Sequence, residues 1–268
     1  MRIVGLGHGL FAIAGAGLAI LSLAYRDFAP IWKPLPAWIP WRETWVYGSG
    51  LLVLAASAGL CLSRTALPSA LTIGAYLAVW AATRAAPVVF KPLSIASWYG
   101  LCEALAPLVG AWILYAMLRR PSRVSETPLI ASEGAVRAAQ VLFGLACVVY
   151  GLAHFAYADF TAGMVPVWLP GRLGFAYFTG LGHVAAGIGI MVGILPRLAA
   201  TLEAIMMSLF GLLVWVPSFF AQPRPQWATP PQNHWSELVV NLLLAASACI
   251  VATSLRNGPW GFGSRPRA

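Results

Sequence analysis

Pro36-Ala37-Trp38-Ile39-Pro40-Trp41-Arg42 recurs as Pro166-Val167-Trp168-Leu169-Pro170-Gly171-Arg172. Each copy follows an apolar segment that ends in Tyr-x-Asp-Phe, Tyr25 to Phe28 and Tyr157 to Phe160. Each precedes an aromatic, a tyrosine and a glycine at one spacing: Trp45, Tyr47 and Gly50 against Phe175, Tyr177 and Gly180. The offset is 132 up to the Asp-Phe pair (Asp27 to Asp159) and 130 from the first proline onward (Pro36 to Pro166). A single two-residue gap thus aligns about 25 positions, which marks an internal duplication.

Working outward, the segments between these loops are apolar. Of the 268 residues 60% are hydrophobic and 9% charged, where a soluble domain carries about a quarter charged. Runs of 18 or more apolar residues, each long enough for a hydrocarbon core about 30 Å thick, predict eight spans: 3–24, 45–62, 66–90, 95–118, 138–157, 173–195, 198–221 and 235–255. The expected fold is an all-α membrane protein, with eight transmembrane helices arranged as two tandem, parallel-oriented four-helix bundles. The first repeat covers 1–118, a hydrophilic linker 119–137, the second repeat 138–256, and a polar tail 257–268. Span one resembles a signal peptide, but its counterpart lies mid-chain, so both read as retained helices.

Four spans per unit insert both halves the same way up. Lys and Arg number ten at the termini and after even-numbered spans, against seven on the other side, which places both termini in the cytoplasm by the positive-inside rule. The expected location is the inner membrane, with the Pro/Trp loops outside. The net charge of +9 is scattered between apolar runs and forms no basic face, so lipid headgroups explain it and nucleic acid is not expected. Cys61, Cys102, Cys147 and Cys249 all lie in apolar segments without a Cys-x-x-Cys pair, and read as packing residues.

Two groups of residues carry the candidate chemistry. In the loops, Trp38 and Trp168 at headgroup depth with Arg42 and Arg172 at the phosphates read as an interfacial anchor. The alternative is a lid over each outer mouth, with the arginines paired to Asp27 and Asp159. In the spans, His234, Glu237 and Asn241 fall on one helical face by their spacing of three and four. His183 sits near mid-span, while His154 and Glu103 lie toward the outer side; Glu203 and His8 stand apart, nearer the cytoplasm. Ionisable groups in such places face a bundle interior or a cavity. They do not repeat: His154 aligns with Ser22, His183 with Val53 and Glu237 with Gly100, so the site is asymmetric and richer in the second half. Imidazole and carboxylate suit zinc, iron or copper, yet His-x-x-Glu is a weak pattern and its partners would converge from three helices, so no metal is assigned. A quinone pocket, with His183, Glu237, Tyr177 and Trp235 around a flat apolar slot, fits better than haem or metal.

His154-Phe-Ala-Tyr-Ala-Asp-Phe160, Pro166-Val-Trp-Leu-Pro170, Tyr177-Phe-Thr-Gly180, Pro196-Arg197 and His234-Trp-Ser-Glu237 with Asn241 resemble the DoxX-like membrane family. The first half resembles it through Pro36 to Gly50 and lacks the His-Trp-x-x-Glu element. The resemblance implies a four-helix bundle per unit, a redox-associated role linked to quinone or quinol, and a membrane or periplasmic oxidoreductase as partner. It transfers no catalytic residue. A small-solute transporter and a non-catalytic assembly factor are the competing expectations.

Overall fold

The computed structural model describes residues 5–28, 38–119, 128–221 and 231–256, with side chains from His234 onward in the last segment. Pro36, residues 120–127 of the linker, the Pro-rich stretch 222–230 and the tail 257–268 lie outside the described residues. The elements are α1 (Leu6–Tyr25), α2 (Arg42–Leu60), α3 (Ala66–Phe90), α4 (Ile95–Leu118), a 3-10 turn (Leu129–Ala131), α5 (Glu133–Ala156), α6 (Ala158–Met164), α7 (Arg172–Val192), α8 (Pro196–Phe210), a π-turn (Gly211–Trp215), α9 (Val216–Ser218) and α10 (Pro231–Ser254). No strand occurs among the described residues.

Local chemistry sets the helix boundaries. Ser94 and Ser132 accept hydrogen bonds from the backbone amides of Ser97 and Ala135, capping α4 and α5. The Ser132 cap starts α5 at Glu133, ahead of the expected 138. Leu195 and Pro196 open α8 after a left-handed Gly193 closes α7. The tight α7–α8 connection makes those helices antiparallel neighbours.

Seven helices are long and apolar enough to cross a membrane: α1, α3, α4, α5, α7, α8 continued through Ser218, and α10 from His234. Their outward faces carry large apolar side chains such as Leu71, Phe90, Phe178, Leu181 and Leu212, all more than half exposed. Such a surface is stable only against lipid, and the chain is a multi-pass membrane protein. α2, 19 residues long, opens with Arg42 and Glu43 and is not among the seven. It nevertheless runs between α1 and α3.

The duplication is written in the packing. A Cβ on Gly50 would meet Leu23 at 2.8 Å, and one on Gly180 would meet Phe155 at 2.7 Å. These are the same contact, 130 and 132 residues apart. Trp41 and Gly171, equivalent at the helix starts, both take the left-handed conformation, with φ 55 and 65. The halves do not stand side by side as separable four-helix units. Neighbours pack in the order α1, α2, α3, α4, α5, α7, α8, α10 and back to α1, with α4 and α10 touching across the middle. Each half's first helix therefore packs along the other half's fourth. At the centre a Cβ on Gly110 would lie 2.5 Å from the Ser247 hydroxyl, its own counterpart in the repeat. One continuous core joins Phe11, Leu77 and Ile113 to Phe143, Leu243 and Ile250.

The contacts run in opposite directions along every neighbouring pair: Gly7 lies against Cys249 but Gly17 against Val239, and Gly74 against Ala111 but Gly100 against Arg84. Helix direction alternates around the ring, so both Pro/Trp loops fall on one face. α5 and α7 cross closely, since a Cβ on Gly151 would lie 2.5 Å from the Gly180 carbonyl oxygen, and Gly144 and Gly187 meet likewise one heptad along. Gly187→Ala forces this crossing apart and is expected to cost about 1–3 kcal/mol in detergent unfolding. Gly9→Ala, where nothing lies within 4 Å, should not destabilise.

Candidate functional site

The helices of the second half, together with α4 of the first, line a chamber of about 1150 Å³. α5 offers Tyr150, Ala153, His154 and Tyr157 to it, and α4 offers Ala96, Tyr99 and Glu103; these spacings each describe one helical face. α10 contributes Glu237, Val240, Asn241 and Leu244, and α8 contributes Leu202, Glu203, Met206, Met207 and Phe210. The wall is mostly apolar, and Glu103, His183, Glu203 and Asn241 are its buried polar side chains. Exposed lining residues of α7 and α8, among them Phe178, Ile188, Leu202, Ile205 and Leu209, carry the chamber out to the lipid-facing surface between those two helices.

One end is roofed by the second Pro/Trp loop. Phe160, Thr161, Met164, Val165, Pro166 and Leu169 line the chamber, while Trp168 between them points out, 68% exposed. Chamber-lining residues and an outward-facing tryptophan thus belong to one segment. In the first copy Trp38 is likewise exposed, and Arg42 donates to Asp27 at 2.6 Å, the carboxylate also accepting from the Phe28 amide. The equivalent Asp159 and Arg172 form no ion pair among the described residues, so the pairing expected in both copies is present in the first alone.

At the heart of the chamber lies His183, whose Nδ1 is 2.9 and 3.1 Å from the two carboxylate oxygens of Glu203. Both side chains are 1% exposed. The Glu203 position, which its depth along span seven sets apart from the histidines, is brought beside His183 by the α7–α8 turn. Counting back and forward from that turn was the signal available. The His183 ring is packed edge-to-face on His154 (5.0 Å between centroids) and on Tyr150 (5.9 Å), and tilted against Phe210 (5.8 Å). His154 Nδ1 lies 3.0 Å from the Thr179 hydroxyl and 3.3 Å from the Ala176 carbonyl. Tyr150 donates to the Cys102 carbonyl at 2.8 Å.

A second polar group spans the two halves. Arg84 of α3 lies within electrostatic reach of Glu103 and Glu237, and its guanidinium fills the space a Cβ on Gly100 would need, 3.1 Å away. Gly100 is the repeat counterpart of Glu237: where the second half places an acid, the first leaves room for a cation. Arg84 counts in the sequence as one more charge toward the outer side, and nothing local distinguishes it.

Of the six span residues expected at a site, His154, His183, Glu103, Glu237 and Asn241 line the chamber. His234 does not. It hydrogen-bonds Ser218 and is wedged against Trp215 and Phe219, because the α10 turn that aims Glu237 inward aims His234 at α9. Tyr177 stacks on Phe155 and Trp235 on Phe219, and neither lines the chamber. His8 bonds the Leu60 carbonyl at 2.8 Å as a packing residue. Among the described residues no three His, Cys, Asp or Glu side chains are grouped as metal ligands.

In the first half the positions equivalent to the chamber's polar wall are held by buried, mostly apolar side chains among the described residues. Leu18, Ser22, Val53, Ile73 and Trp80 are all buried. By the repeat offsets they stand for Tyr150, His154, His183, Glu203 and Phe210, and Pro87 and Pro217 keep α3 and α8 in register. Phe28 closes over Trp80 edge-on at 5.7 Å. In the second half the π-turn Gly211–Trp215, which precedes Pro217, widens α8 where Gly211 meets the Asn241 amide oxygen, 2.9 Å from a would-be Cβ.

Comparison of the chain with protein-family models, with curated proteins and with solved structures finds no match.

Proposed function

We propose that the protein crosses the inner membrane eight times, α2 included, with both termini in the cytoplasm, and binds a lipophilic molecule of the quinone type in this chamber. One observation carries the reading. An apolar chamber of about 1150 Å³ is lined both by exposed apolar residues of α7 and α8 and by the buried polar side chains of Glu103, His183, Glu203 and Asn241. A ligand arriving between α7 and α8 passes their exposed apolar side chains before it reaches the buried polar ones. The resemblance of the repeated unit to DoxX-like proteins supports a redox-associated role and an oxidoreductase partner.

The test is titration of protein in nanodiscs with a short-tailed benzoquinone and its hydroquinone, read by quenching of tryptophan fluorescence and compared with Trp215→Phe, since the chain has 12 tryptophans. Saturable binding, weakened at least fivefold by Glu103→Gln, is the expected result. Neither saturable quenching nor a lipophilic molecule carried through purification would remove the proposal.

A permeation path is the second reading, favoured by the reach of the lining from Leu169 at one end of α7 to Leu195 at the other. Flux of a neutral solute into liposomes that disappears in Ala186→Phe would select it.

A further inference from the structure

We infer that the chamber sorts its ligands by charge: it takes lipophilic amines, held by Glu103, Glu237 and Asn241, and refuses anionic amphiphiles. The inference rests on the ligand-binding reading of the chamber and adds a second class of head group to the quinone type.

Glu103, Glu203 and Glu237 all line the chamber, and among the described residues no Lys or Arg does. Glu203 is taken up by His183. Glu103 and Glu237 lie within electrostatic reach of each other and of one cation, Arg84, which does not itself line the space. One guanidinium balances one carboxylate. The other carboxyl group, in mostly apolar surroundings, needs a proton or a second cation. A ligand amine serves in both cases. Where the acid holds a proton, that proton passes from the carboxyl oxygen to the amine nitrogen and leaves an ammonium–carboxylate pair. Where the acid is ionised, an ammonium ion enters as the missing counter-charge. A carboxylate, phosphate or sulfate head meets no lysine or arginine on the wall and adds its charge to those already there.

Asn241 points to the same chemistry independently of any charge. It follows Glu237 by one helical turn on the same face of α10, lines the chamber and is only 8% exposed. Its Nδ2 reaches the Met207 sulfur at 3.9 Å, and its Oδ1 accepts no hydrogen bond among the described residues. A buried amide oxygen without a donor is costly, and an ammonium N–H supplies one. The two imidazoles sit with Glu203, one turn of α8 away from the Met207 that meets Asn241.

Aromatic rings complete the setting. Tyr99, Phe210 and Trp215 line the same space. Tyr99 lies within reach of both acids, and Phe210 precedes the Gly211 that touches Asn241. The faces of such rings attract cations and offer an anion no counterpart.

Three probes of one shape test this: 4-phenylbutylamine, 4-phenylbutanol and 4-phenylbutyrate, titrated calorimetrically at neutral pH into protein in nanodiscs, with empty nanodiscs as the blank. The amine should bind at least tenfold more tightly than the alcohol, and the carboxylate should show no saturable binding. The preference for the amine should fall at least fivefold in Glu237→Gln, which leaves Arg84 with Glu103, and again in Asn241→Leu. Equal affinity for amine and alcohol, or saturable binding of the carboxylate, overturns the inference. A preference that survives in both variants overturns the assignment to these residues. Benzoquinone titrated into the same samples separates the two readings. Quinone binding without an amine preference removes this inference and keeps the chamber, amine binding without quinone binding does the reverse for the quinone, and binding of none of the probes removes both.

Discussion

Replacing Glu203 by Leu is expected to destabilise the protein far more than replacing His183 and Glu203 together. The single change leaves a 1% exposed imidazole with no partner for Nδ1. Magnitudes separate two accounts of the pair. An ordinary hydrogen bond between membrane helices contributes about 0.6 kcal/mol, because the unfolded chain in the bilayer finds other partners. Breaking a buried charged pair in a soluble protein costs about 3–5 kcal/mol. Since the pair is enclosed by Tyr150, His154 and Phe210, a coupling of about 2 kcal/mol is expected, between those limits. A double-mutant cycle on His183→Leu and Glu203→Leu, followed by unfolding in mixed micelles, measures it. Additive effects would show that the two side chains share a site without depending on each other.

Filling the chamber should abolish ligand binding and leave the fold intact. Ala186 lies one helical turn from His183 on the same face of α7, and Ala153 faces the chamber from α5; both are 6% exposed. A phenylalanine at either position enters open volume, in contrast to a Cβ added at Gly187. At least a tenfold loss of affinity, about 1.4 kcal/mol, is expected in Ala186→Phe and Ala153→Phe alike, with melting temperatures within a few degrees of the parent. Unchanged affinity in both would place the ligand elsewhere.

The first half supplies an internal control. It has the same backbone plan with buried Val53, Ile73 and Trp80 where the second half has His183, Glu203 and Phe210. Duplication kept the scaffold and left one half as packing support. That support is direct: α4 of the first half forms part of the chamber wall through Tyr99 and Glu103, and its Gly100 accommodates Arg84.

Much of this is legible in residue order. The apolar spans mark the membrane-competent helices and their approximate extents, since apolar run length and proline placement act locally, but not the short α6 or the start of α5 at the Ser132 cap. The richer polar content of the second half is also visible there. Which polar residues meet is not. His183 and Glu203 are 20 residues apart and are joined by the antiparallel turn between them. Arg84 and Glu237 are brought within reach by the crossing of the halves, and His234 is turned away by its phase on α10. Helical periodicity assigns a side chain to a face. Only the packing of that face against a particular neighbour decides whether it meets a partner, a wall of apolar side chains or an open chamber.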